Sequence, residues 1–234
     1  MAVYAISDLH LSLSTDKPMD VFGDRWVGYV TKLKNSWEQN IGTEDIVIIP
    51  GDISWAMYLD EALEDLKFIN ALPGRKIISK GNHDYWWTTM SKLNKFLDKH
   101  GLHTINFMHN NSFDLEGVTL CGTRGWISPG DSDFGAEDEK IHARELQRLE
   151  LSLRSVSLSD KNGIIVAIHY PPFNSRGEPS DFIEIMRKYN VKMCVYGHLH
   201  GGSHKNAVEG NVHGIDFRLV SADYLNFKPL KLEI

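Results

Sequence analysis

Residues 76–84 have the sequence KIISKGNHD, in which a short apolar run is followed at once by Gly81, Asn82, His83 and Asp84. The run is rich in β-branched residues and almost unbroken, which is typical of a strand covered on both faces. An amide, an imidazole and a carboxylate therefore stand where a buried strand is predicted to end.

The same arrangement recurs along the chain. Four further apolar runs are VYAI (3–6), DIVIIP (45–50), GIIVAI (163–168) and VKMCVY (191–196), and they are followed in turn by Ser7-Asp8-Leu9-His10, Gly51-Asp52, His169 and Gly197-His198-Leu199-His200. Ligands of open α/β sheets bind outside the carboxyl ends of the strands. If the five runs are parallel neighbours, we expect their polar tips to meet at one sheet edge, with Gly51, Gly81 and Gly197 letting the backbone turn sharply.

Helical patterns alternate with these runs, at residues 24–39, 59–71, 88–99, 137–156 and 180–189. The alternation predicts an α/β fold with a mainly parallel sheet and helices on both faces. Consecutive strands are predicted within 104–122, with Gly117 as a turn, and more strands within 203–234. Residues 1–234 contain no linker-like stretch, so we expect a single domain.

The composition and net charge of the chain argue against several classes of protein. The 234 residues are 42% hydrophobic, with no run of 18 apolar residues and no signal-peptide pattern at the start, so no membrane association is predicted. The two cysteines, Cys121 and Cys194, lie in apolar runs without a C-x-x-C pair, which predicts buried thiols and a cytoplasmic protein. A net charge of −6 argues against bulk electrostatic binding of nucleic acid.

The polar tips supply carboxylate, amide and imidazole donors but no thiolate, a mixture that suits divalent Mn, Fe, Zn or Co better than a structural zinc site. The candidate metal ligands are Asp8, His10, Asp52, Asn82, His169, His198 and His200. Seven donors are too many for one tetrahedral ion. They are enough for two divalent ions if one carboxylate bridges.

The chain carries, in order, the motifs DLH, GD and GNHD, an isolated His169 and the motif GHLH. This ordered set resembles that of the calcineurin-like metallophosphoesterases over residues 8–200. Within that superfamily the resemblance is to bacterial phosphohydrolases. It implies a four-layer α/β/β/α sandwich, with two mixed sheets flanked by helices. It also implies hydrolysis of phosphate esters at a two-metal centre.

The resemblance assigns roles to the motif residues. The first ion would be held by Asp8, His10, Asp52 and His200, and the second by Asp52, Asn82, His169 and His198, so that Asp52 bridges. His83 would face the substrate and carry a proton, and Asp84 would either support it or cap a turn. Attack on phosphorus by metal-bound hydroxide is then expected, and the two carboxylates and the hydroxide leave the centre about one positive charge. That surplus would vanish if Asn82 were an aspartate.

The chain departs from the phosphoprotein phosphatases of this superfamily. Those enzymes carry G-D-x-x-D-R-G, whereas GDISWAM places Trp55 and Ala56 at the positions of the second acid and the arginine. Arg124 and Arg176 are candidates for binding the phosphate instead. The alternative for each is a solvated position on the protein surface.

Aromatic residues also follow the motifs closely, namely Trp55, Tyr85, Trp86, Trp87 and Trp126. We expect at least half of them to be buried in the core, although stacking with a flat substrate is the alternative.

The sequence therefore predicts a metal-dependent phosphoesterase acting on a small phosphorylated substrate, a monoester or diester of a small molecule or nucleotide. A nuclease acting on nucleic acid ends is the alternative within enzymes, but it lacks the Lys/Arg clusters of a basic channel. A non-catalytic scaffold that retains the fold is the alternative from another class, but the ligand set and His83 are intact. A dinuclear hydrolase of the β-lactamase type needs H-x-H-x-D-H, which is absent.

Overall fold

The computed structural model describes residues 1–156 and 163–234. Its elements in chain order are β1 (Val3–Ala5), α1 (Tyr29–Asn40), β2 (Ile46–Pro50), α2 (Leu63–Ala71), β3 (Arg75–Ser79), α3 (Met90–His100), β4 (Ile105–Phe107), β5 (Phe113–Asp114), β6 (Thr119–Thr123), α4 (Ala136–Arg154), β7 (Ile164–Ile168), α5 (Asp181–Lys188), β8 (Val191–Tyr196), β9 (Gly210–Val212), β10 (Ile215–Leu219) and β11 (Leu230–Lys231). Short 3-10 turns occupy Met19–Phe22, Asp24–Trp26 and Gly201–Asn206.

The strands of the described residues form two mixed sheets. The first has the order β11-β1-β2-β3-β4, with β1 to β4 parallel and β11 antiparallel to β1. The second has the order β5-β6-β7-β8-β10-β9, in which β6, β7, β8 and β10 are parallel and both edge strands are antiparallel. Strands β10 and β11 from the end of the chain thus complete one sheet each.

Three buried apolar clusters separate four layers. Alternate residues of the first sheet, such as Val47 and Ile49, pack with Leu33 of α1 and Leu66 of α2. The second sheet packs in the same way against α4 and α5. Between the two sheets lies a third cluster, built from Val3, Ala5, Ile46, Ile48, Ile77, Leu120, Ile165, Ala167, Met193, Val195 and Val220. Both faces of each central strand are therefore buried, which explains the unbroken apolar runs. The implied α/β/β/α sandwich is confirmed.

One expectation about the strands is wrong. The five runs with polar tips are not neighbours in one sheet, because β1, β2 and β3 lie in the first sheet and β7 and β8 in the second. The strands predicted within 104–122 are likewise divided, since β4 closes the first sheet while β5 and β6 form a hairpin in the second. Apolar runs identify buried strands but carry no information on which strands pair.

Two helices, α1 and α2, begin at least four residues later than predicted. The chain enters α1 only at Tyr29, after Gly28 with φ +65° and the 3-10 turn Asp24–Trp26. Before α2, Glu61 accepts hydrogen bonds from the backbone N–H groups of Met57 and Tyr58 in a turn. Cys121 and Cys194 are buried, as predicted. Among the described helices, none is both long and apolar enough to cross a lipid bilayer.

Candidate metal centre

The carboxyl ends of the central strands of both sheets lie at the same edge of the sandwich, and the predicted donors meet there. One group joins the tips of β1, β2 and β8. His10 Nε2 lies 3.2 Å from His200 Nε2, and His200 Nε2 lies 3.2 Å from Asp8 Oδ1. Asp52 Oδ2 lies 3.7 Å from His10 Nε2. Donor atoms that share one ion at about 2.0–2.2 Å are spaced in this way.

A second group joins the tips of β2, β3, β7 and β8. Asn82 Oδ1 lies 2.7 Å from His169 Nε2 and 3.0 Å from His198 Nδ1. Asp52 Oδ2 lies 3.5 Å from the same His169 nitrogen, so Asp52 touches both groups.

Asp8 also lies between the two groups. Within the described residues, the sets of three carboxylate or imidazole side chains able to hold one ion are Asp8/His10/His200 and Asp8/Asp52/His169. The arrangement thus places two carboxylates, rather than Asp52 alone, between the imidazoles.

The backbone at this site is strained. Four of the seven predicted ligands adopt the left-handed region, with φ of 59° at Asp8, 45° at His10, 54° at Asp52 and 72° at His198. For residues other than glycine this conformation costs on the order of 1 kcal/mol or more, and it concentrates at functional sites where the surrounding structure enforces it. This strain points to selection for the position of these side chains rather than for stability.

The glycines before the ligands act mainly through their size. Gly51 has φ +90° and turns the chain as predicted, but Gly81 and Gly197 lie outside the positive-φ region, so the predicted reason is wrong for them. A Cβ on Gly81 would lie 2.1 Å from Asp52 Oδ1, and one on Gly197 would lie 2.3 Å from Asp8 Oδ2. The carboxylates of Asp52 and Asp8 occupy the space in which side chains on Gly81 and Gly197 would lie.

Asp84 holds the loop that carries Asp52. Its buried carboxylate accepts hydrogen bonds from the backbone N–H groups of Gly81, Asp52, Ile53 and Ser54 and from Trp86 Nε1. These contacts tie the tip of β2 to the tip of β3. Of the two roles considered for Asp84, the structure therefore favours turn stabilisation.

Asp223 belongs to the candidate site by its contacts, although none of the sequence motifs includes it. It follows β10, and its carboxylate lies 2.9 Å from His200 Nδ1 while accepting a hydrogen bond from the Gly201 N–H. A carboxylate behind a metal-binding imidazole fixes the tautomer and leaves Nε2 free for the ion. The signal for it was present, because a carboxylate soon after a predicted strand is the same pattern as in the five recognised tips.

The ionisation of these groups fits bound cations. Burial lowers the pKa of His10 and of His198 to about 3 and that of His169 to about 4, so these imidazoles are neutral at pH 7 and offer a lone pair. Burial and the nearby Asp8 raise the pKa of Asp52 well above its usual range. Two buried carboxylates this close need a positive charge between them, which divalent cations would supply.

His200 and Asp8 show the opposite shifts. Burial alone would lower the pKa of His200, but Asp8 and Asp223 on its two sides raise it to about 10. Burial would raise the pKa of Asp8, yet His200 and the other histidines hold it below its usual value. The Asp8 carboxylate favours a positive charge on the His200 ring. A metal ion bound at His200 Nε2 would supply that charge in place of the proton.

His83 lies at the rim of the centre. Its backbone N–H donates to Asp52 Oδ1, and its ring centroid lies 4.5 Å from that of Trp55. Its buried Nδ1 has no hydrogen-bond partner within the described residues. Trp55, which stands where phosphoprotein phosphatases carry an acid, therefore packs against the His83 ring, and burial lowers the pKa of His83.

The two predicted phosphate-binding arginines differ in setting. Arg124 is largely buried, lies 3.4 Å from Glu145 Oε1 and stacks on Trp126. Arg176 is exposed and pairs with Glu178 at 2.7 Å.

The expectation that at least half of the motif-adjacent aromatic residues are buried is wrong. Trp86 is buried, Trp55, Trp87 and Trp126 are half-buried, and Tyr85 is exposed.

Comparison with known proteins agrees with this geometry. The family model described as calcineurin-like phosphoesterase matches residues 1–202. Among solved structures, a phosphopantetheinyl hydrolase from Mycobacterium tuberculosis aligns over 99% of this chain and 95% of its own, with 13% identity and a TM-score of 0.60. A protein of unknown function from Aquifex aeolicus aligns over 98% and 95%, with 17% identity and a TM-score of 0.51.

No curated protein matches the chain. At these identities the likeness to solved structures is one of fold, whereas the family model covers most of the sequence. The chain belongs to the calcineurin-like phosphoesterases, and it is a metal-dependent hydrolase of phosphate esters.

Proposed function

We propose that this enzyme hydrolyses phosphate esters at a two-metal centre. The first ion is assigned to Asp8, His10, Asp52 and His200, and the second to Asp52, Asn82, His169 and His198. The observation that carries the proposal is that donors from both sheets approach within 2.7–3.7 Å in two groups that Asp52 joins.

The ions are proposed to be Mn, Fe or Zn. Carboxylate, amide and imidazole donors without a thiolate suit these metals. A neutral amide at Asn82 keeps the charge of the centre positive, which favours an anionic substrate in an otherwise acidic protein. When bound, the two ions would supply Lewis acidity toward phosphate oxygens and activate water as the nucleophile.

The chain's own residues position and protonate the substrate. Burial lowers the pKa of His83, and a bound phosphate anion beside the ring would oppose that shift. His83, at the rim, is then placed to give a proton to the leaving oxygen, and such general acid catalysis typically contributes ~10²–10⁴-fold. Asp84 and Asp223 hold the Asp52 loop and the His200 ring in place. Arg124 and Arg176 remain the proposed phosphate-binding residues, and each would have to exchange a glutamate partner for the phosphate, Arg124 the buried Glu145 and Arg176 the exposed Glu178.

The substrate is proposed to be a small phosphorylated compound, monoester or diester. We also propose a single domain over residues 1–234, because β10 and β11 complete the two sheets that the preceding residues begin. Two cysteines in 234 residues are in keeping with a cytoplasmic enzyme.

The test is to purify the protein, measure its metal content, and assay chromogenic mono- and diesters after loading with Mn, Fe, Co, Zn or Mg. We expect hydrolysis that requires an ion and is lost on chelation. A well-folded protein that is inactive with every ion would refute the proposal and favour the scaffold hypothesis. Cleavage of single-stranded nucleic acid in preference to small esters would favour a nuclease.

A further inference from the structure

An apolar cavity of about 460 Å³ opens beside the metal centre. Its base is formed by two predicted ligands, His10 and His200, and His83 stands in its wall. The remaining side chains are hydrophobic, namely Met19, Phe22, Trp26 and Trp55. A mostly apolar cavity with a few convergent polar groups is the usual form of a small-molecule site.

The walls are held by ring packing. Trp55 stacks on His10, with ring centroids 4.9 Å apart and planes at 23°. Trp26 meets the His10 ring edge-on at 5.9 Å and is supported from behind by Tyr29 and Phe227, each with ring centroids 5.2 Å away. These ring contacts tie Trp55 and Trp26 to His10 and to the residues behind them, so the two indole walls are anchored to the candidate metal centre.

The outer wall exposes hydrophobic surface. Phe22 lines the cavity yet is 65% exposed, and the adjacent Val21 is 71% exposed. Large apolar side chains clustered at the mouth of a site indicate a hydrophobic ligand that covers them.

We infer that this cavity binds the leaving alcohol of the substrate, and that this alcohol is uncharged and hydrophobic, with a ring or hydrocarbon group. The inference rests on the proposed function. It follows from the position of the cavity, because His10 and His200 of the candidate metal centre and the His83 ring line it together with the indole walls. In the reaction the phosphorus–oxygen bond to the alcohol breaks, the alcohol oxygen keeps the electron pair and takes the proton of His83, and water supplies the new oxygen and returns a proton.

The cavity also disfavours charged alcohols. An anionic group would lie among apolar side chains, and the described side chains that line the cavity include no lysine or arginine, although Lys17 Nζ lies 4.5 Å from the centroid of the Trp55 ring. A cationic group would lose its hydration without an acidic partner in the wall.

The test compares 2-(2-naphthyl)ethyl phosphate with glycerol phosphate on the loaded enzyme, so that both leaving groups are alkyl alcohols of similar intrinsic reactivity. We expect kcat/KM to favour the naphthyl ester by at least 10-fold, and Phe22→Ala to reduce that ratio about 10-fold by removing one apolar wall. Tyr58→Ala is the matched control, because Tyr58 is an exposed aromatic residue outside the cavity. It should leave the ratio unchanged.

A binding measurement separates this inference from the proposed function. Calorimetry should show naphthylmethylphosphonate binding at least 10-fold more tightly than methylphosphonate, and Phe22→Ala should remove most of the difference. Equal affinities, or a ratio that Phe22→Ala does not change, would overturn the inference even if the enzyme is active. Failure to hydrolyse any ester would instead overturn the proposed function.

Discussion

Replacing Gly81 by alanine should disrupt the metal centre without a direct change to any ligand. The Cβ would lie 2.1 Å from Asp52 Oδ1 and 2.3 Å from the Asp52 backbone nitrogen. Ordinary contact begins near 3.4 Å, so the carboxylate oxygen must move by about 1.3 Å. Side-chain rotation alone does not relieve the second contact, because it involves the backbone.

A shift of that size is large for a metal ligand. Distances from ligand to ion are fixed within about 0.2 Å, so the displaced Asp52 would no longer serve both ions. We expect metal affinity to fall by at least about 100-fold, by comparison with the 10–100-fold losses from removing supporting residues. Overpacking should also lower the free energy of unfolding by about 1–3 kcal/mol.

The assay is metal content by elemental analysis together with calorimetric titration of the ion, with circular dichroism to verify folding. Gly202→Ala is the control, because Gly202 lies near His200, has no positive φ, and has no described atom within 4 Å of the added Cβ. If Gly81→Ala binds the same number of ions as Gly202→Ala with equal affinity, the argument from Asp52 is refuted.

Three further predictions concern residues around the centre and in the core. His83→Ala should slow turnover of poor leaving groups by ~10²–10⁴-fold while retaining the bound metal, and loss of metal would contradict its role as a proton donor. Asp223→Ala should weaken metal binding by about 10–100-fold, since His200 loses its orienting carboxylate; unchanged affinity in a titration would exclude that role. Burial lowers the pKa of Lys76 to about 8 from its ordinary 10.5, so the folded state releases this proton first. The stability of the wild type relative to Lys76→Met should therefore rise by about 3 kcal/mol between pH 8 and 10.5 in urea unfolding. A difference that is constant with pH would mean that the carbonyls of Leu72 and Gly74 keep the ammonium charged.

The central strands were predictable from the sequence because the sandwich buries them on both faces. The five apolar runs match β1, β2, β3, β7 and β8 within one residue at either end. Their division between two sheets could not be predicted from the runs themselves, because hydrophobicity indicates that a strand is buried but not which strands it pairs with. The family resemblance implied two sheets but did not assign the five runs between them.

The candidate site could be predicted from the sequence where its donor residues follow the ends of strands. Asp8, Asp52 and His169 follow the ends of β1, β2 and β7 closely, and the structure brings them together. Asp223 escaped notice because it follows a strand that carried no recognised motif. The steric role of Gly81 and Gly197 depends on contacts between distant segments, which no local pattern records. The burial of Trp55 and Trp126 was overestimated because the cavity and surface near the centre keep part of each ring accessible.

The most direct test of the two-metal assignment is anomalous diffraction from crystals of the manganese-loaded enzyme. The assignment predicts two peaks about 3.5–4 Å apart, one on each side of the Asp52 carboxylate. A single peak, or peaks away from Asp52 and the surrounding histidines, would contradict it.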